Sequence, residues 1–226
     1  MIARMTSDAS GNAAQPLVVI GGGAHAREVI WLAREATQAF NVLGCLDDEE
    51  GSSGRMLSDV PVMGRVTEWP RFSDAAFVVA IGAPRIRRDV VQRMYSSGVP
   101  RFATLVHKSV LQSTYVQIGP GSMVLAGCIA STQIIIGSHV ILNIGATVAH
   151  DAVIEDFCSL SPRVVLSGNV HLEAGVELGT GSSLKQGIRV GRGAMVGMGS
   201  VVIRDVAEAD LVFGNPARSV RKLDTF

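Results

Sequence analysis

Hydrophobic and polar positions along the chain follow two different rhythms. Up to about residue 105, short apolar runs alternate with stretches of helical spacing. LVVI at 17–20 is an apolar run that ends in glycines, and AREVIWLAREA, at 26–36, places apolar residues on one face of a helix. NVLGCL and AAFVVAI predict a second and a third strand. RIRRDVVQRMYSSG predicts a charged helix with Gly98 as its stop, and FATLV predicts a fourth strand. Strand and helix in alternation predict a small parallel sheet with helices on its faces.

From Ile118 onward the period is six. Every sixth residue from Ile118 to Val202 is Val, Ile or Leu, except Ala130. Those three types make up 61 of 226 residues, so chance would place about four in these fifteen positions. The column four residues further on holds only Ser, Cys, Ala, Val and Ile. The column three residues on is mostly Gly, with Asp151, Asn169 and Asp205 among the rest, and these residue types tolerate a left-handed backbone at low cost. One large aliphatic, one small residue and one turn-tolerant residue per six define a β-solenoid, with three hexads to a triangular coil. Fifteen hexads make five coils, a column about 24 Å tall at strand spacing. No insertion interrupts the period, so any site on the column is made by the coils themselves or by a neighbouring chain. The chain divides into a leader at 1–16, an α/β domain at 17–105, a solenoid at 106–206 and a cap at 207–226.

Composition narrows the classes. Apolar residues at 47% and charged ones at 18% describe a folded chain. Twenty basic and twenty acidic residues leave no basic field for nucleic acid or anionic lipid. Cys45, Cys128 and Cys158 are too few and too scattered for a disulfide framework or a zinc site, and they fit a reducing cytoplasm. The first sixteen residues read as a flexible leader without the apolar core of a signal peptide, and no apolar run reaches membrane-spanning length.

Two places carry candidate chemistry. GGGAHA, between a strand and a helix, gives G-x-G-x-x-A at Gly21, Gly23 and Ala26, a turn whose amides and helix N-terminus can face a phosphate or simply allow close packing. Asp47 or Asp48 stands near the distance expected for a ribose contact, but some 90 residues are short for a full dinucleotide fold, and no second domain for hydride chemistry follows. The other place is His150-Asp151. His150 lies two residues after Val148, at a coil corner, and its ring is expected to point outward. A histidine can take a proton at neutral pH, and a neighbouring carboxylate can fix its tautomer. Asp151 falls in the turn-tolerant column, which is a structural reason for it as well.

The chain resembles the hexapeptide-repeat sugar acyltransferases of the NeuD/PglD group. VVIGGGAHAREVI, GCLDD, VVAIGAPRIRR, the repeats and the tail VFGNPARSV come in the family's order. The resemblance implies an α/β nucleotide-sugar-binding domain (small Rossmann-like parallel sheet) followed by a left-handed parallel β-helix, in a cytoplasmic homotrimer. It implies acetyl transfer from acetyl-CoA to a UDP- or GDP-linked amino sugar for surface polysaccharide or glycan biosynthesis, with His150 as base and Asp151 as its orienter. Gly21, Gly22, Gly23, His25, Asp47, Asp48 and Gly82 would hold the nucleotide sugar. Acetyl-CoA would lie between two columns, against Gly168, Gly181, Gly197 and Gly199, with Asn215, Pro216, Ala217 and Arg218 of the tail beside it. Some relatives carry a second histidine nine residues after the first; here that position is Ser159, which leaves a hydroxyl or a backbone amide for the thioester oxygen.

Other readings remain to be weighed. O-acetylation of sialic acid or another sugar hydroxyl would use the same parts, and a non-catalytic nucleotide-sugar-binding scaffold would keep the solenoid without needing a corner histidine. A zinc enzyme on this solenoid would need His139, His150 and His171 to converge; their spacings of 11 and 21 do not fit an 18-residue coil, so no metal is expected.

Overall fold

The computed structural model describes residues 14–226. Most of the leader thus lies outside the described residues, although Gln15 and Pro16, assigned to it, already belong to the first strand. Five strands make the N-terminal sheet: β1 (Gln15–Ile20), β2 (Phe40–Leu46), β3 (Met56–Leu57), β4 (Val60–Gly64) and β5 (Ala76–Val79), in the order β3-β4-β2-β1-β5. All pairs are parallel except the β3–β4 hairpin. Helices α1 (Ala24–Arg34) and α2 (Pro84–Ser96) follow β1 and β5. β1 is buried from Leu17 to Ile20, as a strand covered on both faces must be. FATLV does not become a fourth strand of this sheet. Phe102 makes a single parallel bridge to Phe77 of β5, and Leu105–Val106 pairs instead with Met123–Val124 as the first rung of the column.

The column is a three-sided parallel β-helix. Its first face stacks two-residue strands at Leu105–Val106, Met123–Val124, Ile141–Leu142, Ser159–Leu160, Glu177–Leu178 and Met195–Val196. The second runs from Leu111–Gln112 to Val201–Val202, and the third from Val116–Ile118 to Arg189–Val190. Partners in each face are 18 residues apart, as in Ile129, Thr147 and Val165, so one coil is three hexads. From Val124 to Val202 every hexad aliphatic is buried, at 2% exposure or less. The i+4 residues fill the remaining interior beneath the corners, Cys128 and Cys158 among them. Burial of each such aliphatic is worth roughly 1.5–3 kcal/mol, and a rung has its full value only between two others. The first coil, at 105–118, breaks the pattern: Leu111 and Gln112 are exposed where the end of the column is open.

The corners are set by backbone geometry more than by residue type. φ is positive at all eight glycines of the i+3 column, and also at Gln133, His139, Asp151, Phe157, Arg163 and Asn169, between 55° and 61°. A left-handed residue with a side chain costs about 1–2 kcal/mol, a cost offset by the rungs on either side. Strand Asp210–Gly214 adds to the first face beside Met195–Val196, and Ala217–Lys222 returns antiparallel against it.

The α/β domain packs on the first face. Met123, Leu125 and Ile141 share one buried cluster with Leu17, Val19, Val29 and Leu32. This docking brings the strand-to-helix turns after β1 and β5 to the side of the coils.

Candidate active site

The glycine turn after β1 opens on a cavity of about 400 Å³, lined by Gly21, Gly22, Gly23, His25, Asp47, Asp48 and Gly82, with α2 as one wall. All seven residues expected around a nucleotide sugar are therefore brought together. Gly21 has φ 108°, a conformation that favours glycine, and a Cβ on Gly22 would collide with the Asp47 carboxylate. Helix α1 has Gly23 as its N-cap, with no side-chain cap and no acidic residue in its first turn; the Ala26 amide donates to Gly23 O at 3.1 Å, which leaves the Ala24 and His25 amides for an anion. Asp47 Oδ1 accepts the Glu49 amide at 2.7 Å. Asp48 is committed twice, accepting Val66 N–H at 3.0 Å and Arg93 Nη2 at 2.9 Å. Arg93 lines the same cavity, and Arg55 donates to the Gly22 carbonyl at 2.8 Å. The sequence reading singled out neither arginine.

His25 and Gly82 also line a smaller cavity of about 110 Å³ in the seam between the domains, with Asn143, Ser159, Ser161 and Glu177. His25 Nδ1 pairs with Glu28 at 2.8 Å, while its Nε2 is buried without a partner. Burial raises the Glu177 pKa above the usual carboxylate range, against the pull of the Arg87 charge. A larger cavity, about 660 Å³, lies between α2 and the third face beside Phe226. It contains none of the expected residues; its charged lining is Arg88, Glu155, Asp156 and Arg192, with Glu155 already paired to His171 at 2.8 Å.

His150 stands on the corner between the second and third faces and lines none of these cavities; Asn143 and Ser161 occupy the neighbouring corner. Its ring is half exposed, and Nδ1 lies 2.7 Å from Asp151 Oδ2. A neutral imidazole then carries its proton on Nδ1 and presents Nε2 as an acceptor to the outside. Asp151 holds φ 58°, so the turn that closes the corner also delivers the carboxylate.

The expected cofactor residues scatter. Gly168 seats the His150 ring: a Cβ there would stand 2.5 Å from Cε1 and Nε2 of His150. The space over Gly197 is filled by Phe213. Gly181 and Gly199 stack on an open corner with nothing against them, at φ 69° and 66°. Asn215, Pro216 and Ala217 form the turn of the cap hairpin, and exposed Arg218 donates only to the Ala217 carbonyl. Ser159 departs most from expectation. Its hydroxyl donates to Gly82 O at 2.7 Å and accepts from Arg87 at 2.9 Å. A hydroxyl has one proton, and here it is spent on the domain seam rather than offered to a thioester. Cys128 and Cys158 are interior, and burial pushes their thiols up to about 11 and about 12, so neither supplies a thiolate. The three histidines of the zinc reading sit apart: His139 is stacked on Phe157, His150 is at its corner, and His171 pairs with Glu155 on the third face. Among the described residues no group of metal-ligating side chains converges. No helix among them is long and apolar enough to cross a membrane.

Because Gly168 lacks left-handed φ, Gly168→Ala adds a methyl without backbone strain. It is expected to tilt the His150 ring off its seat and lower kcat about tenfold, with the melting temperature nearly unchanged. Unaltered kcat would mean that the ring orientation seen here does not matter.

An α/β domain with a glycine turn opening on a cavity, joined to a hexapeptide β-helix that carries an outward His–Asp pair, defines an acyltransferase of the left-handed β-helix class. Comparison with known proteins agrees. The family model described as the PglD N-terminal domain matches residues 16–94. Perosamine N-acetyltransferase from Caulobacter crescentus, solved as a histidine mutant with CoA and GDP-perosamine, is 30% identical over 93% of this chain and 99% of its own, with a TM-score of 0.84. The acetyltransferase domain of PglB from Neisseria gonorrhoeae, in complex with acetyl coenzyme A, is 31% identical over 92% and 100%, with a TM-score of 0.85. WeeI from Acinetobacter baumannii is 30% identical over 91% and 100%, at 0.77. Among curated proteins no sequence matches. This chain belongs to the NeuD/PglD-type hexapeptide-repeat sugar acyltransferases.

Proposed function

We propose that this protein transfers an acetyl group from acetyl-CoA to the amine of a sugar linked to a nucleoside diphosphate, in a trimer whose sites lie between subunits. The observation that carries the reading is a separation. A cavity suited to a diphosphate lies on one flank of the first face, whereas the half-exposed His150–Asp151 pair stands at a corner apart from it and lines none of the cavities described above. A second copy of the chain supplies the missing half. The second face supports such contact, since the outer ladder next to the His150 corner runs Leu111, Ile129, Thr147, Val165, with its three aliphatics exposed.

In this arrangement the diphosphate sits at the N-terminus of α1 and the nucleoside against Asp47. The sugar reaches past His25 and Gly82 toward the His150 of a neighbouring subunit. The amine nitrogen attacks the thioester carbonyl, and backbone amides hold the oxyanion, since the Ser159 proton is engaged elsewhere. His150 Nε2 takes the amine's proton as the C–S bond breaks, and the proton passes on to the departing CoA sulfur. Transfer is direct within the ternary complex, because the chain offers no thiolate to carry the acetyl group. Three free cysteines fit a reducing compartment, which supports the cytoplasm as the setting of the reaction. The relative that binds GDP-perosamine supports an amino sugar as acceptor.

The test is acetyl-CoA turnover against UDP-, GDP- and dTDP-linked amino sugars, with CMP-sialic acid and hydroxyl-only sugars as further arms. One amino sugar is expected to exceed every hydroxyl acceptor by at least a hundredfold in kcat/KM. Preference for a hydroxyl would replace N- by O-acetylation, and turnover of none would favour a binding scaffold.

A further inference from the structure

Arg87 is fully buried, yet no carboxylate bonds to it. Nε donates to His139 O at 2.9 Å. Nη1 donates to Ile81 O at 2.6 Å and Gly82 O at 2.8 Å. Nη2 reaches Phe157 O at 2.8 Å, Cys158 O at 3.2 Å and Ser159 Oγ at 2.9 Å. Five N–H donors meet six acceptors, and every one of those acceptors is neutral. Burial lowers the guanidinium pKa to about 10, so the group stays charged at neutral pH. A buried cation costs several kcal/mol in desolvation, and an aliphatic of similar size would avoid that cost. What an aliphatic would not do is fix backbone carbonyls on both sides of the seam.

Two of the six acceptors belong to the nucleotide cavity. Ile81 and Gly82 form its wall between β5 and α2, and Gly82 also lines the smaller cavity beside His25. The Gly82 carbonyl is gripped twice, by Arg87 and by the Ser159 hydroxyl at 2.7 Å. The Ile81 carbonyl shares a peptide plane with the Gly82 N–H, and trans geometry points the two in opposite directions. Drawing that carbonyl to Arg87 turns the Gly82 N–H away from the seam, and this N–H has no partner among the described residues. The remaining four acceptors, His139, Phe157, Cys158 and Ser159, sit on two adjacent coils. The guanidinium therefore ties the Ile81–Gly82 loop of the α/β domain to two stacked coils of the column.

We propose that Arg87, assisted by Ser159, is a positioning residue for nucleotide binding: it holds the Ile81–Gly82 wall in the conformation that receives the diphosphate sugar. This rests on the reading of the cavity under Proposed function. The test uses the full chain with Arg87→Met, Arg87→Lys and Ser159→Ala, measuring affinity for UDP, GDP and dTDP by calorimetry, KM for nucleotide sugar and acetyl-CoA, kcat, and melting temperature. Arg87→Met is expected to weaken binding of the preferred diphosphate tenfold or more and to raise the nucleotide-sugar KM to match. KM for acetyl-CoA and kcat should stay within about twofold. Arg87→Lys, which keeps the charge but reaches fewer acceptors, falls between, and Ser159→Ala shows a smaller shift of the same kind. An Arg87→Met protein that melts lower but binds the diphosphate as well as wild type would overturn the proposal and leave only a seam bolt. A parallel loss in both KM values and kcat would overturn it equally. Wild type that binds UDP, GDP or dTDP but acetylates no nucleotide sugar refutes the acetyl-transfer reading while the positioning role stands; wild type that binds none of the three refutes both.

Discussion

Replacing His150 with glutamine is expected to lower kcat by about 10²–10⁴, the usual range for removal of a general base, with little change in melting temperature. Glutamine can hydrogen-bond but cannot take the proton that the amine must lose. The ring it replaces is half exposed, and its only side-chain bond is to Asp151, itself exposed. Folding thus loses almost nothing when the ring goes. The reason to expect so large a kinetic effect is the convergence of three independent features on one ring. Asp151 fixes the tautomer, Gly168 leaves room for the ring, and the corner turn points both side chains outward. Steady-state turnover with the preferred nucleotide sugar checks it, and a variant as active as wild type would remove His150 from the reaction. The same variant tests sharing between subunits. Mixed with a chain disabled at the nucleotide cavity by Asp47→Arg, it should regain part of the lost activity, because some interfaces would pair an intact corner with an intact cavity. Absence of any recovery would place both halves in one chain.

The column was legible because its interior is a one-dimensional packing problem. A triangular coil of 18 residues needs an aliphatic at each strand and a small residue under each corner, so the six-residue period is written in residue volume. The corners were less legible. Glycine marks eight of them, but Phe157, Arg163, His139 and Gln133 adopt the same left-handed conformation because rungs above and below leave no other path. In the first coil the period itself fades, although the solenoid is set from 106: with nothing stacked outside it, Leu111 and Gln112 need not obey the pattern. The β3–β4 hairpin escaped notice because Pro61 and Gly64 break up an already short apolar run.

At the site, the glycine turn and His150–Asp151 were readable because each is a local motif whose geometry follows from a few adjacent residues. Arg87 was not, although a signal existed. In RIRRDVVQRMYSSG the charged residues read as a solvated face, yet Arg87 falls at helical spacing with Val90, Val91 and Met94, all buried. A charge on the apolar stripe of a helix is the sign of a buried tie, whereas Arg85 and Arg88, off that stripe, reach the tail at Asp224–Phe226 instead. Ser159 was placed by analogy with a catalytic position, and the structure gives its proton to Gly82, a partner 77 residues earlier that no local pattern could have named.

His139 gives the second large effect, this time on stability. Its ring stacks on Phe157 at 5.0 Å, meets Phe102 edge-on at 4.5 Å, and leaves Nδ1 buried without a partner. Burial, with the Arg87 charge beside it, lowers its pKa to about 4. In the unfolded chain the same group titrates near 6.5. Between these values the unfolded state binds a proton that the folded state excludes, so stability rises with pH and is lost as pH falls from about 6.5 toward 4. At 1.36 kcal/mol per unit, the full loss amounts to about 3 kcal/mol. His139→Phe keeps the stack and removes the titrating group. The corner already accepts such a side chain at Phe157, with φ 61° against 55° at His139. The variant is expected to match or exceed wild type at pH 7.5, where only the unpartnered nitrogen is lost, and to gain on it by about 3 kcal/mol by pH 4. Denaturant unfolding at several pH values measures this difference directly. Curves that stay parallel over that range would show that the ring is protonated in the folded protein and that the aromatic stack opens to admit the charge.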